Sequence, residues 1–299
     1  MRERDLIAEI KKRAGKPGKP VKSGIGDDCA VLEYNKEKYL LWGTDMLVEG
    51  THFNIKKDGC KRIGRKAVAV NVSDIAAMGG VPKYISMTLG IPPGMSQGSI
   101  RAVCDGVFDI CSEYGIKIIG GDTDRSKKLV IDVSIMGLVE KKRLVERSGA
   151  KAGDLVLVTG PVRDGRKTHL TFIPRLEEAR FLTKNYKINS MIDVSDGIGP
   201  DLGHICEESG TGGVVYSGAV PLSKGLSLED ALYYGESFEL LFTMRVGEAR
   251  KLFIDMKLQK NRRMNYFIIG EIRPKREGLV LVGKEGKVSK LRAEGFRHF

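Results

Sequence analysis

The chain has no apolar run long enough to cross a bilayer, and its five cysteines, Cys29, Cys60, Cys104, Cys111 and Cys206, form no CxxC pair. The first absence argues against a membrane partner. The second, with the odd count, argues against both a disulfide framework and a zinc ribbon. Reduced, mostly buried thiols are expected, with Cys104 and Cys111 on one helical face as small apolar side chains. Also missing are a GxxxxGK(S/T) loop and, at the strand-to-helix turns, GxGxxG, so neither a P-loop nor a dinucleotide-binding turn is available to hold phosphate. No solenoid-length repeat or low-complexity tract occurs. The opening MRERDLIAEIKKRAG has the pattern of an amphipathic helix without the apolar core of a signal peptide, which predicts a cytoplasmic protein.

What is present fits a globular protein: 299 residues, 41% hydrophobic and 29% charged, enough for two domains. Lys and Arg number 50 against 38 Asp and Glu, and the net +12 attracts anions such as nucleotides or phosphates. The densest basic runs, at 11–22, 56–66 and 142–147, lie apart and lack interleaved aromatics, which argues for solvated faces and against nucleic acid.

Strand and helix patterns alternate, giving an α/β class. Strands are predicted over 39–44, 83–91, 117–121 and 128–139, and helices over 62–78 and 99–114, the second capped by Gly115. A polar turn at 147–154 marks the predicted boundary between an N-terminal domain, 1–148, and a C-terminal domain, 149–299. Beyond it, strands are expected at 155–160, in MIDV, in GGVVY, in SFELLFTMRV, at 265–272 and at 278–282. Helices are expected near 175–184, 198–208, 227–233 and 247–256.

Five places deliver an Asp at or near the end of an apolar segment or glycine turn: GDD (Asp27, Asp28), GTD (Asp45), NVSD (Asp74), GGD (Asp122) and DVSD (Asp193, Asp196). Each alone has an ordinary explanation. Gly-Asp turns are solvated, Asp193 or Ser195 can cap the helix starting near Ile198, and Asp74 can be a solvated helix residue. Together, in the crevice beyond the strand ends of an open α/β sheet, so many carboxylates cannot all stay ionised unpaired: either several pKa values rise or divalent cations fill the gaps. Magnesium prefers such oxygen ligands and shares them with substrate phosphates. The adjacent glycines let backbone N–H groups approach phosphate. His52, on a polar loop seven residues past Asp45, is either incidental or a substrate contact.

In order, GIGDDCAVL, GTDMLVEGTHF, AVNVSDIAAMGGVP, GGDTDRS, RSGAKAGD, DVSDGIGPDLGHI and GESFELLFT resemble the thiamine monophosphate kinases of the AIR-synthetase-like ATP-binding superfamily. The resemblance runs over about 23–160 and 190–243, with a closing echo in GFRHF. It implies a two-domain α/β fold, with an N-terminal mixed sheet that forms a barrel with its counterpart in a homodimer and a C-terminal α+β domain. It also implies in-line transfer of the ATP γ-phosphate to thiamine monophosphate, with Mg2+ between the domains and no catalytic side chain beyond positioning and metal. By motif, Asp27, Asp28, Thr44, Asp45, Asp74, Asp122, Asp193 and Asp196 resemble metal ligands. Gly121, Asp122, Arg147 and Ser195 resemble nucleotide contacts, and His52, Glu236 and Phe296 resemble contacts to the thiamine substrate.

Three departures from that family pattern fall mainly on the acceptor side. The segment after Gly160, PVRDGRKTHLTFIP, is short and basic where the family has a longer Gly- and Ala-rich stretch, so part of the second domain's wall is expected to be missing or replaced. GESFELLF stands where GEDYELLF is usual, removing a carboxylate at Ser237 and a hydroxyl at Phe238. Gly43 stands where a Ser commonly precedes Thr-Asp. Two alternatives therefore accompany the kinase: a related ATP-dependent enzyme with another acceptor, and a non-catalytic nucleotide-binding homologue.

Overall fold

The computed structural model describes residues 3–258 and 264–293. Its first half comprises α1 (Glu3–Ala14), β1 (Val21–Ser23), β2 (Ala30–Glu33), β3 (Lys38–Val48), α2 (Ile55–Asp58), α3 (Cys60–Ala77), β4 (Val81–Ile91), α4 (Gln97–Tyr114), β5 (Lys117–Arg125) and β6 (Val130–Glu140). The strands form one sheet in the order β1-β2-β3-β6-β4-β5, antiparallel apart from the β4–β5 pair. Strict alternation on β6 sends Ile131, Val133, Ile135 and Val139 into a core beneath α3 and α4. These two helices cross at touching distance. A Cβ on Gly64 would meet the Val103 carbonyl oxygen at 2.0 Å, and one on Gly106 the Lys61 carbonyl oxygen at 1.9 Å. Ser96 caps α4 by accepting the Ser99 N–H, and Gly115 ends it at φ 64°.

The opposite face of this sheet is open. Trp42, Met136 and Tyr84 form one cross-strand row on it, with Trp42 51% and Tyr84 41% exposed.

The second half comprises β7 (Leu155–Thr159), α5 (Gly165–Thr168), α6 (Leu176–Asn185), β8 (Ser190–Asp193), α7 (Ile198–Ser209), β9 (Thr211–Tyr216), α8 (Leu228–Tyr233), β10 (Leu240–Met244), α9 (Val246–Leu258), β11 (Tyr266–Pro274), β12 (Leu279–Val282) and β13 (Val288–Lys290). Its sheet runs β13-β12-β9-β11-β7-β10-β8 and is antiparallel apart from β12–β9. Helices cover both faces. On one, Ile198, Leu202 and Ile205 of α7 pack with Val156, Val158 and Ile192; on the other, Leu182 of α6 and Leu252 of α9 pack with Leu157, Met191 and Phe242.

Helix α3 joins the halves. Its body lies in the first core, while Ala76 and Ala77 at its end belong to the core under α6 and α9. The sequence expectation of aspartates at strand ends holds for Asp193, the last residue of β8, and is corrected for two others. Both sheets are mainly antiparallel, and Asp45 and Asp122 sit inside β3 and β5, each longer than its periodicity predicts.

Candidate functional site

Where the two halves meet, carboxylates converge from three elements: the 24–28 turn, α3 and β8. Asp28, Asp74 and Asp193 each offer an oxygen within 4.8 Å of the others. Asp193 is held by a 2.5 Å hydrogen bond from the Ser73 hydroxyl, so adjacent residues of α3 serve this group from one turn. Asp27 lies beside it, its carboxylate accepting the Arg147 backbone N–H at 3.1 and 3.3 Å. Arg147 sends its guanidinium to Asp28, with both Nε (3.2 Å) and Nη2 (2.6 Å) donating to the same oxygen, Oδ1. The other oxygen of Asp28, Oδ2, is buried and accepts no hydrogen bond.

The electrostatics follow from the crowding. Burial, then the Asp28 charge, pushes Asp27 up from 3.8 to about 7, against the pull of Arg147. Asp193 rises to about 7 for the same two reasons, opposed by the Ser73 hydrogen bond and Arg147. Asp74 is raised well above the carboxylate range by burial and then by Asp45, Asp193 and Asp28. Burial raises Asp28 too, although Arg147 opposes it. One guanidinium is thus too little positive charge for five neighbouring carboxylates. Carboxylate-only donors and a buried, unpartnered oxygen fit a hard dication such as magnesium.

A second group follows along the chain. Asp196, Asp201 and His204 also bring ligand atoms within 4.8 Å of one another, Asp201 and His204 being one turn apart on α7. Asp201 accepts the backbone N–H groups of Asp196 and Gly197, tying the start of α7.

Not every residue named from sequence comes to this seam within one chain. Side chains alternate along β3, so Asp45 faces α3 while Thr44 points to the open face, where its hydroxyl donates to Asp132 (3.2 Å) and the Val133 carbonyl (3.3 Å). Asp122 shares that open face. It stands in one cross-strand row with Thr88, Asp132 and Met46, on the edge strand, about 14 Å from β3 at the usual strand spacing. Gly121 beside it has a packing reason to be glycine, since a Cβ would meet the Met87 carbonyl oxygen at 2.0 Å. Ser195 is half-buried, its carbonyl accepting the Glu236 N–H at 2.8 Å. Arg147, expected to face a nucleotide phosphate, here engages Asp28. Phe296 lies outside the described residues.

His52 and Glu236 approach each other through residues that the sequence reading passed over. Lys66, in the middle of α3 and 1% exposed, donates to the His52 carbonyl (3.0 Å), to His169 Nδ1 (2.8 Å) and to the Glu236 carboxylate. The available signal was a lysine on the apolar face of a helix, between Ile63, Ala67 and Val70. His169 belongs to the short basic segment after Gly160. It forms α5 and then inserts Leu170 and Phe172 into the first core, Phe172 stacking on Phe238 with centroids 4.0 Å apart.

Known proteins bear on these observations. The family described as AIR synthase related protein, N-terminal domain, matches residues 26–139. Two paired mixed sheets with an acidic seam define the class as a two-domain α/β protein of the AIR-synthase-related fold. A thiamine-monophosphate kinase of Buchnera aphidicola from Acyrthosiphon pisum is 34% identical over 99% of this chain and 98% of its own length. One from Escherichia coli K12 shows the same 34% identity and the same coverage. A solved structure described as AaThiL complexed with AMPPCP and TMP covers 100% of this chain and 97% of its own, with TM-score 0.84 and 30% identity. The chain belongs to the thiamine-monophosphate kinase family.

Proposed function

We propose that the protein transfers the γ-phosphate of ATP to thiamine monophosphate, giving thiamine diphosphate and ADP. The observation that carries this reading is the buried convergence of Asp28, Asp74 and Asp193 in a chain matching thiamine-monophosphate kinases from end to end. The solved relative bound to AMPPCP and TMP supports ATP and thiamine monophosphate as the two substrates.

In this reading Asp28, Asp74 and Asp193, with Asp27 and Asp45 beside them, hold Mg2+, and Asp196 extends the set through Asp201 and His204. Magnesium bound there supplies charge neutralisation for the transferring phosphoryl group. Arg147 and Ser195 contribute to the nucleotide side, and His52 and Glu236 to the acceptor side. No side chain acts as a covalent nucleophile. An oxygen of the thiamine phosphate attacks in line, the Pγ–O bond to ADP breaks, and the chain's work is to align the two phosphates and exclude water.

The division into 1–148 and 149–299, a homodimer and a cytoplasmic location belong to the same proposal. The apolar row Trp42–Met136–Tyr84 supports the dimer, because an exposed apolar sheet face is normally covered. Thr44, Gly121 and Asp122 enter the site by way of that face and edge, with a second copy in place.

ATP labelled in the γ-phosphate, incubated with thiamine monophosphate and Mg2+, tests the function. Labelled thiamine diphosphate is expected. Turnover confined to another acceptor, or nucleotide binding without turnover, overturns it.

A further inference from the structure

We infer that Lys66 and His169 form a positioning pair that sets the acceptor-side carboxylate Glu236 against the His52 loop. The assignment deepens the proposed function and rests on it. Lys66 has three N–H donors, and three acceptors surround them: the His52 carbonyl, His169 Nδ1 and the Glu236 carboxylate. All are used. Because a lysine ammonium only donates, His169 must accept at Nδ1 and carry its proton on Nε2. Burial, and then the Lys66 charge, lower the pKa of its imidazole, against the pull of Glu236.

This arrangement links four separate pieces of chain: the loop before α2, the middle of α3, the end of α5 and the 235–238 turn. The turn itself is unusual. Glu236 and Phe238 adopt φ 53° and 51°, left-handed conformations that a residue with a side chain rarely takes. Backbone hydrogen bonds from Glu236 to Ser195 and from Phe238 to Val194 hold them there. Gly165 packs so closely on the turn that a Cβ would lie 2.5 Å from the Gly235 carbonyl oxygen and 2.7 Å from Glu236 Cβ. The turn thus registers Glu236 against Ser195, while Lys66 and His169 set where its carboxylate points. His169 comes from the short basic segment after Gly160, just past the end of α5.

Steady-state kinetics of the full chain test the pair. His169→Leu removes the acceptor that orients Lys66, and KM for thiamine monophosphate is expected to rise about tenfold, the size of one hydrogen bond to a charged group. The KM for ATP and kcat stay within about twofold, as for loss of uniform acceptor binding. His169→Asn places an amide oxygen near the Nδ1 position and restores the acceptor KM. An unchanged acceptor KM in H169L, or equal losses in H169L and H169N, overturns the assignment alone. No thiamine diphosphate from the unaltered protein overturns the function and this assignment with it. Nitrogen NMR of His169 gives a second readout: a neutral, Nε2-protonated ring is expected, and a proton on Nδ1 contradicts the pair.

Discussion

Asp74 occupies a helix position where a lone carboxylate is normally solvated, yet here burial, and then three other aspartates, raise its pKa well above the ordinary range. Between 3.8 and about 7, Asp27 and Asp193 keep protons in the folded protein that the unfolded chain has released. Stability therefore falls as pH rises through that window. With chelator present, the melting temperature is expected to drop by at least about 5 °C from about pH 5 to about pH 8, and Mg2+ to restore it at the upper end. Asp74→Asn removes one of the repelling charges. It should flatten this profile, blunt the Mg2+ response and lower phosphotransfer by about a thousandfold, on the scale of a lost electrostatic group. A chelated protein that gains stability with pH, or a D74N profile that tracks the unaltered one, counts against the crowding. At this scale the sequence pointed to Asp28, Asp74 and Asp193, which the fold brings together, but said nothing of Lys66. Its role depends on three partners at distant chain positions.

Helix α3 was readable from its Ala-rich pattern and Gly-Gly stop, within two residues at its start and one at its end. Its closeness to α4 was not, because Gly64 and Gly106 look like ordinary helix glycines until the crossing brings Val103 and Lys61 carbonyls against them. Gly106→Ala separates the two effects. Helix propensity alone favours alanine by about 1 kcal/mol, whereas overpacking against backbone costs up to about 3 kcal/mol. A net loss of about 2 kcal/mol is expected, seen as a lower urea midpoint at unchanged slope; equal or greater stability contradicts the crossing. The strands holding Asp45 and Asp122 were ended too early, at Thr44 and Gly121. Periodicity reads apolar runs, and β3 and β5 continue through Thr, Asp and Gly because neighbouring strands supply the hydrogen bonds.

For the whole molecule, ordered motifs revealed the class and the seam, whereas the face each aspartate presents required the strand register. Asp45 and Asp122 read alike as Asp after a small residue, yet they stand on opposite faces of one sheet. The short basic segment after Gly160 was visible in the sequence, but its docking into the first core through Leu170 and Phe172 depends on a contact between halves. The proposed function requires the buried carboxylates of that boundary to hold divalent metal against a nucleotide. Anomalous scattering from Mn2+, in crystals grown with a non-hydrolysable ATP analogue, tests it most directly. A peak is expected among Asp28, Asp74 and Asp193, at about 2–2.2 Å from their oxygens, the range of a hard octahedral dication. Manganese bound elsewhere, with these three carboxylates still in contact only with protein, would contradict it.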